Sequence, residues 1–223
     1  MASVELSDIV LRLMEQFVKE RMYTSTLATV LNTDNFGEDQ TIDVQPDINN
    51  VFDDGVILEL PPILDVPVQF PSAGGGIMSF PIKKGDTVLL VFSMHSLDEW
   101  MEGKAADTGS ITPADRRMYN LNDAIAIPGV YTKHTNLSPN ITDTELKFNE
   151  LSIKLEEAGD VSVSNPTHSL KLKANGDVLH SSGAKITAAG DFITASGISL
   201  DNHVHVGSAT APDGPVSNTG AAQ

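Results

Sequence analysis

The sequence predicts a mainly β protein, with a small closed barrel in its front half and a slender stack of short strands behind. Three observations carry this. Apolar and polar residues alternate over short runs, the period of a half-buried strand rather than of a helix. Gly 17 and Pro 12 supply turns throughout, which suggests a turn-rich β protein rather than a helical bundle. Gly-Asp pairs at 159, 176 and 190 punctuate the rear half, 17 and 14 residues apart, as in a stacked β architecture.

The 223 residues make one large domain or two small ones. Their formal net charge of -16 is concentrated in residues 1–130, with 20 acids and 8 bases, against 10 and 6 afterwards. Such a chain repels phosphate backbones, so no nucleic-acid partner is expected. Without cysteine there are no disulfides and no thiolate metal sites. No window reaches the roughly 18 apolar residues of a membrane-spanning helix. The N-terminus lacks the basic start and apolar core of a secretory signal, which predicts folding in the cytoplasm.

Residues 1–23 are expected to hold an amphipathic helix. Val4, Leu6, Ile9, Val10, Leu13, Met14, Phe17 and Val18 fall at helical spacing, and Ser3 is a candidate N-cap. The apolar stripe would pack on its own domain or dock on a neighbour, the former being favoured.

Residues 24–131 read as the barrel. Short runs occur at Leu27–Leu31, Ile42–Val44, Val56–Leu60, Val66–Phe70, Ile77–Phe80 and Thr87–Phe92, with Pro67 making its run irregular or an edge strand. This density fits a small closed barrel of the OB type. Gly74-Gly75-Gly76 is read as a turn, because a phosphate cradle would need Gly-Lys-Ser/Thr opening a helix. Ser96 and Glu99 suggest a capping box on a short helix. Asp98, Glu99 and Glu102 are read as helix-start acids rather than catalytic carboxylates.

An ordered series of short motifs then becomes recognisable: Gly74-Gly75-Gly76, Lys84-Gly85-Asp86, Phe92-Ser93, Ser96-Leu97-Asp98, Trp100 and Asp123-Ala124-Ile125-Ala126-Ile127-Pro128-Gly129. Over about residues 25–131 the chain resembles the N-terminal OB domain of the central spike proteins of contractile-tailed phages, the baseplate assembly protein V and membrane-piercing spike group.

Residues 132–149 are a polar connector, and 150–201 form the expected shaft. Leu151, Ile153 and Leu155 alternate with Ser152, Lys154 and Glu156; Val161, Val163, Leu170 and Leu172 continue the pattern. A single chain would leave strand edges unpaired and one apolar face wet. Three chains wound about one axis would cure both, predicting a homotrimeric intertwined β-helix. A monomeric solenoid would need longer, more regular coils.

Residues 202–223 form the expected apex. His203 and His205 lie two apart, so in extended chain they share a face. Three chains would bring six imidazoles, enough for an octahedral late first-row metal such as iron, nickel or zinc. The resemblance implies iron, held for structure. His95, His134, His168 and His180 are scattered and carry no expected role. The tail from Ser208 to Gly220 is read as a compact cap on the tip rather than a disordered end.

The resemblance implies a central spike of a virion tail tip, with the OB domain attached to baseplate hub or tail-tube proteins and the shaft driven transiently through the host outer membrane. No catalytic residues are expected. The alternatives are a tail-tip cell-wall hydrolase, disfavoured because no inserted domain fits and the His pair lacks a third ligand and general base, and a spike of a non-viral contractile injection system.

Overall fold

The structure is a computed structural model that describes residues 6–52, 55–104, 109–135 and 137–204. The chain forms two compact units, Met1–Asn136 and Leu137–Gln223.

The first unit begins with helix α1 (Leu6–Arg21). The expected cap Ser3 lies outside the described residues. The apolar stripe exists, but Leu6, Leu13, Met14 and Phe17 are exposed. The expectation that it packs on its own domain is therefore corrected. Helical spacing fixes which residues share a face, not what that face meets.

Strands β1 (Ser25–Asn32), β2 (Thr41–Pro46), β3 (Asn50–Val51), β4 (Ile57–Leu58), β5 (Ile63–Pro67), β6 (Ser72–Ala73), β7 (Gly76–Ile77), β8 (Thr87–Phe92) and β9 (Ala124–Pro128) follow, with the short helix α2 (Asp98–Met101) before β9. Five of them make one antiparallel sheet in the order β5-β2-β1-β8-β9. Its two ends approach each other: Val68, just past β5, forms a parallel bridge with Ala126 of β9. The Gln69 N–H donates to the Ala126 carbonyl at 2.8 Å. Irregular register in β1–β2 between Val30 and Asn32, and in β2–β5 between Ile42 and Val44, helps the sheet curl.

The core follows the period of two. Ala28 and Val30, Ile42 and Val44, Val66 and Val68, Val88, Leu90 and Phe92, and Ala124 and Ala126 all point inward and are buried. Three alanines suit the tight interior of a curled sheet.

Several expected strands are redistributed. Val56–Leu60 does not join this sheet; Ile57–Leu58 pairs with Asn50–Val51 in a separate ribbon with both apolar side chains exposed. Five consecutive apolar or acidic residues there lack the alternation that would seat one face inside. The third strand of the large sheet is instead Ile63–Pro67, at its edge, where Pro67 costs no central ladder bond. Ile77 pairs with Ser72 in a hairpin whose two central residues, Gly74 (φ 58°) and Gly75 (φ 87°), are both left-handed. A two-residue turn of this kind suits glycine, in accord with the turn reading.

The second unit is an antiparallel meander of seven strands among the described residues: β10 (Thr144–Phe148), β11 (Leu151–Leu155), β12 (Val161–Ser164), β13 (Ser169–Leu172), β14 (Val178–His180), β15 (Lys185–Ile186) and β16 (Phe192–Ile193). Each pairs with the next, and their lengths shrink from 5 residues to 2. Within the chain, strand pairing is between sequence neighbours.

The turns explain the repeat. Gly159, Gly176, Gly183, Gly190 and Gly197 all have φ between 85° and 94°. Each closes a three-residue loop; in the second, Lys173 N–H donates to the Asp177 carbonyl at 2.8 Å and Gly176 N–H to the Lys173 carbonyl at 2.9 Å. From Gly176 to Gly197 the turns fall at every seventh residue and alternate between the two edges of the sheet. The visible Gly-Asp pairs mark one edge only.

Candidate functional site

The register of the meander sorts its residues onto two unlike faces. Leu146 lies opposite Ile153, Ile153 opposite Val163, and Val163 opposite Leu170; Leu155, Val161, Leu172, Val178 and Ile186 are linked in the same way. Directly paired residues share a face, so these form one continuous apolar surface. Most of it is uncovered: Phe192 is 40% exposed and Leu155 55%, while Val161 and Val178 are half-buried. Among the described residues of this unit, the buried ones are Asp160 and Ser162, both polar.

The opposite face is knitted by polar links. Ser152 and Ser164 share a hydroxyl contact of 2.8 Å. Lys171 Nζ donates to Glu156 at 2.7 Å, and Lys173 Nζ to Asp160 Oδ2 at 2.6 Å. These partners hold the Glu156 and Asp160 carboxyls below the usual carboxylate range, chiefly through the hydrogen bonds from Lys171 and Lys173 respectively. The Lys171 ammonium is raised in turn by Glu156.

One edge carries a series of carboxylate staples. Asp143 accepts the Glu157 N–H at 3.1 Å, Asp160 the Ala174 N–H at 2.9 Å, Asp177 the Ala188 N–H at 2.8 Å, and Asp191 the Asp201 N–H at 3.2 Å. Each acid binds the next turn on its own side. Alternation alone gives no hint of this, but a Gly-Asp pair recurring at turn positions is its signature.

His203 follows the last strands of the taper. Its Nδ1 lies 2.9 Å from the Leu200 carbonyl and 3.1 Å from that of Ser199. Carbonyls only accept, so Nδ1 carries a proton, and in the neutral ring Nε2 then has the lone pair a metal ion needs. The residue therefore fits the expected ligand role. His205 and the expected cap from Ser208 to Gly220 lie outside the described residues. Among the described residues, no three His, Cys, Asp or Glu side chains of one chain converge on a common point.

Two histidines given no role come together. His168 and His180 stack with ring centroids 5.4 Å apart and planes at 27°. The pairing of β13 with β14, which sets Leu170 opposite His180, creates this contact, which no spacing in the sequence announces.

In the first unit Arg117 gathers three acids. It donates to both oxygens of Asp123 at 2.8 and 2.7 Å, to both of Asp98 at 2.9 and 2.7 Å, and to Asp115 at 3.1 Å. Asp123 is fully buried and also accepts the Leu97 N–H at 3.0 Å. The Arg117 guanidinium is raised chiefly by Asp123, and the Asp98 carboxyl is lowered chiefly by its hydrogen bond from Arg117. The Asp115 carboxyl is lowered chiefly by the Arg117 N–H.

Asp98 stands in the first turn of α2, as expected of a helix-start acid, and it is also one jaw of a clamp. The capping box is corrected. Leu97, not Ser96, occupies the cap position, and Glu99 accepts the Ala114 N–H at 3.1 Å. No helix among the described residues is long and apolar enough to cross a membrane.

No curated protein matches the chain. Residues 29–129, which contain most of the curled sheet and the Arg117 clamp, match the family described as the phage protein Gp138 N-terminal domain. Over that segment the chain is similar to a phage protein, and the likeness suggests a phage structural role.

Proposed function

We propose that this protein is the central spike at the tip of a contractile phage tail. In this reading three copies form a homotrimer in which each meander supplies one wall of a tapering prism, its apolar face turned to the axis. The observation that carries it is that continuous, half-exposed apolar face on strands that shorten steadily toward one end. Covering each such side chain contributes about 1 kcal/mol, and a threefold arrangement covers all three faces at once.

The first unit, with the strand order and parallel bridge of an OB barrel, serves as the collar that meets baseplate hub or tail-tube proteins. His203 and His205 of three chains would hold one iron or another late first-row ion at the apex. Such an ion would cross-link the chain ends and resist fraying under load. The role is mechanical rather than catalytic: the shaft passes through the host outer membrane on sheath contraction, and the protein resides in the virion tail tip.

The deciding experiment is sedimentation mass together with elemental analysis of the purified full chain. A trimer with one iron per three chains, lost in His203→Ala/His205→Ala, is expected. A metal-free trimer would remove the apex and keep the shaft. A monomer would overturn the spike.

A further inference from the structure

The stacked histidines sit on the face that the spike reading buries. His180 lies opposite Leu170 in the β13–β14 pairing, on the apolar side. By strand parity His168, two residues before Leu170, lies on that side as well. We infer that the His168–His180 pair is an acid-sensitive latch, which permits the three meanders to associate at neutral pH and weakens their association in acid. This inference rests on the trimer proposed above.

The hydrogen bonds set the protonation states. His180 Nδ1 accepts the Ser182 N–H at 3.1 Å, and it contacts the Ser182 hydroxyl at 2.8 Å. An acceptor nitrogen carries no proton, so the neutral ring holds its hydrogen on Nε2. That is the reverse of His203, and it makes His180 a poor metal ligand. A second proton on His180 must land on Nδ1, where it displaces the backbone donor in the turn closed by Gly183.

Two further costs attach to that proton. The His168 ring, whose Nδ1 contacts Thr167 Oγ1 at 2.8 Å, is stacked against it, so two cations would repel. In the trimer the imidazolium would also be enclosed among apolar side chains.

Among the described residues, the charged groups of the packed strands do not offset these costs. On β12, the apolar side carries Val161 and Val163; on β13, Leu170 and Leu172; on β15, Ile186. The charged groups of these strands and turns lie elsewhere. Lys171 and Lys185 are on the opposite face, Lys173 is held by Asp160, and Asp177 is engaged by the Ala188 N–H. The neutral pair is therefore compatible with assembly, and protonation opposes it.

The test is sedimentation equilibrium of the full chain at pH 7.5 and pH 5.0. Association of the native chain is expected to weaken about tenfold or more at pH 5.0. His180→Leu, which suits the apolar face, should remove most of that dependence. His168→Gln should reduce it by relieving the repulsion, and it serves if His180→Leu fails to fold. His203→Ala should retain the dependence, separating the latch from the apex. Equal association at both pH values, or an unchanged dependence in both latch variants, would overturn the latch and leave the trimer standing. A monomer at pH 7.5 would overturn the trimer, and the latch with it.

Discussion

Asp160 accepts a hydrogen bond from the Ala174 N–H at 2.9 Å, fastening the turn after one hairpin to the next turn along the same edge. The same carboxylate receives Lys173 Nζ at 2.6 Å, so backbone and side chain of one turn both anchor on a single buried acid. Equivalent staples at Asp177 and Asp191 continue along the taper, where strands of two or three residues have few ladder bonds of their own.

Asp160→Ala should therefore lower the melting temperature of the meander by several degrees, and by more than Asp143→Ala, whose staple is longer. The Asp160 carboxyl is held below its ordinary value, so its contribution is complete above about pH 4 and is lost as pH falls through the folded value. Thermal melts of the native chain and Asp160→Asn across pH 2 to 7 should converge at the acid end.

Arg117→Ala leaves Asp123 buried without its partner. The loss should be about 3 kcal/mol, measured by urea denaturation of the first unit's signal. Arg117→Lys should recover only part of this, because one ammonium cannot bind Asp123 and Asp98 bidentately at once. Equal stability of native and Lys variants would contradict the clamp.

Ile153→Asp tests the apolar face directly. In one chain the side chain is half-exposed, so circular dichroism should keep its β signature. A buried carboxylate at each of three symmetric positions should abolish association, seen as a fall to monomer mass.

Gly176 and Gly190 make a paired test of the turns. Both have left-handed φ, 92° and 94°, so alanine at either costs about 1 kcal/mol from backbone strain. At Gly176 an added Cβ would also stand 3.2 Å from the Ala188 Cβ, whereas at Gly190 it meets nothing within 4 Å. Gly176→Ala should thus be the more damaging in thermal melts.

Much of the meander is legible in the order of its residues. The alternation of Leu151, Ile153 and Leu155 with Ser152, Lys154 and Glu156 assigns every side chain to a face, because the pleat inverts at each residue. The Gly-Asp pairs locate turns, because left-handed loop positions favour glycine. The apolar run at Val56–Leu60 misleads for the same reason: without alternation, composition does not say whether a strand joins the core, and here it forms an outlying ribbon.

Local chemistry thus determined the strands, their faces and their turns. Tertiary structure alone decided which edges meet, that Asp98 and Asp123 close on one guanidinium, that Asp160 reaches the following turn, and that His168 stacks on His180. The physical reason is range. Pleat and turn geometry act between residues a few positions apart, whereas these contacts form only once strand pairing has set the register, and hydrogen bonds tolerate errors of tenths of an ångström.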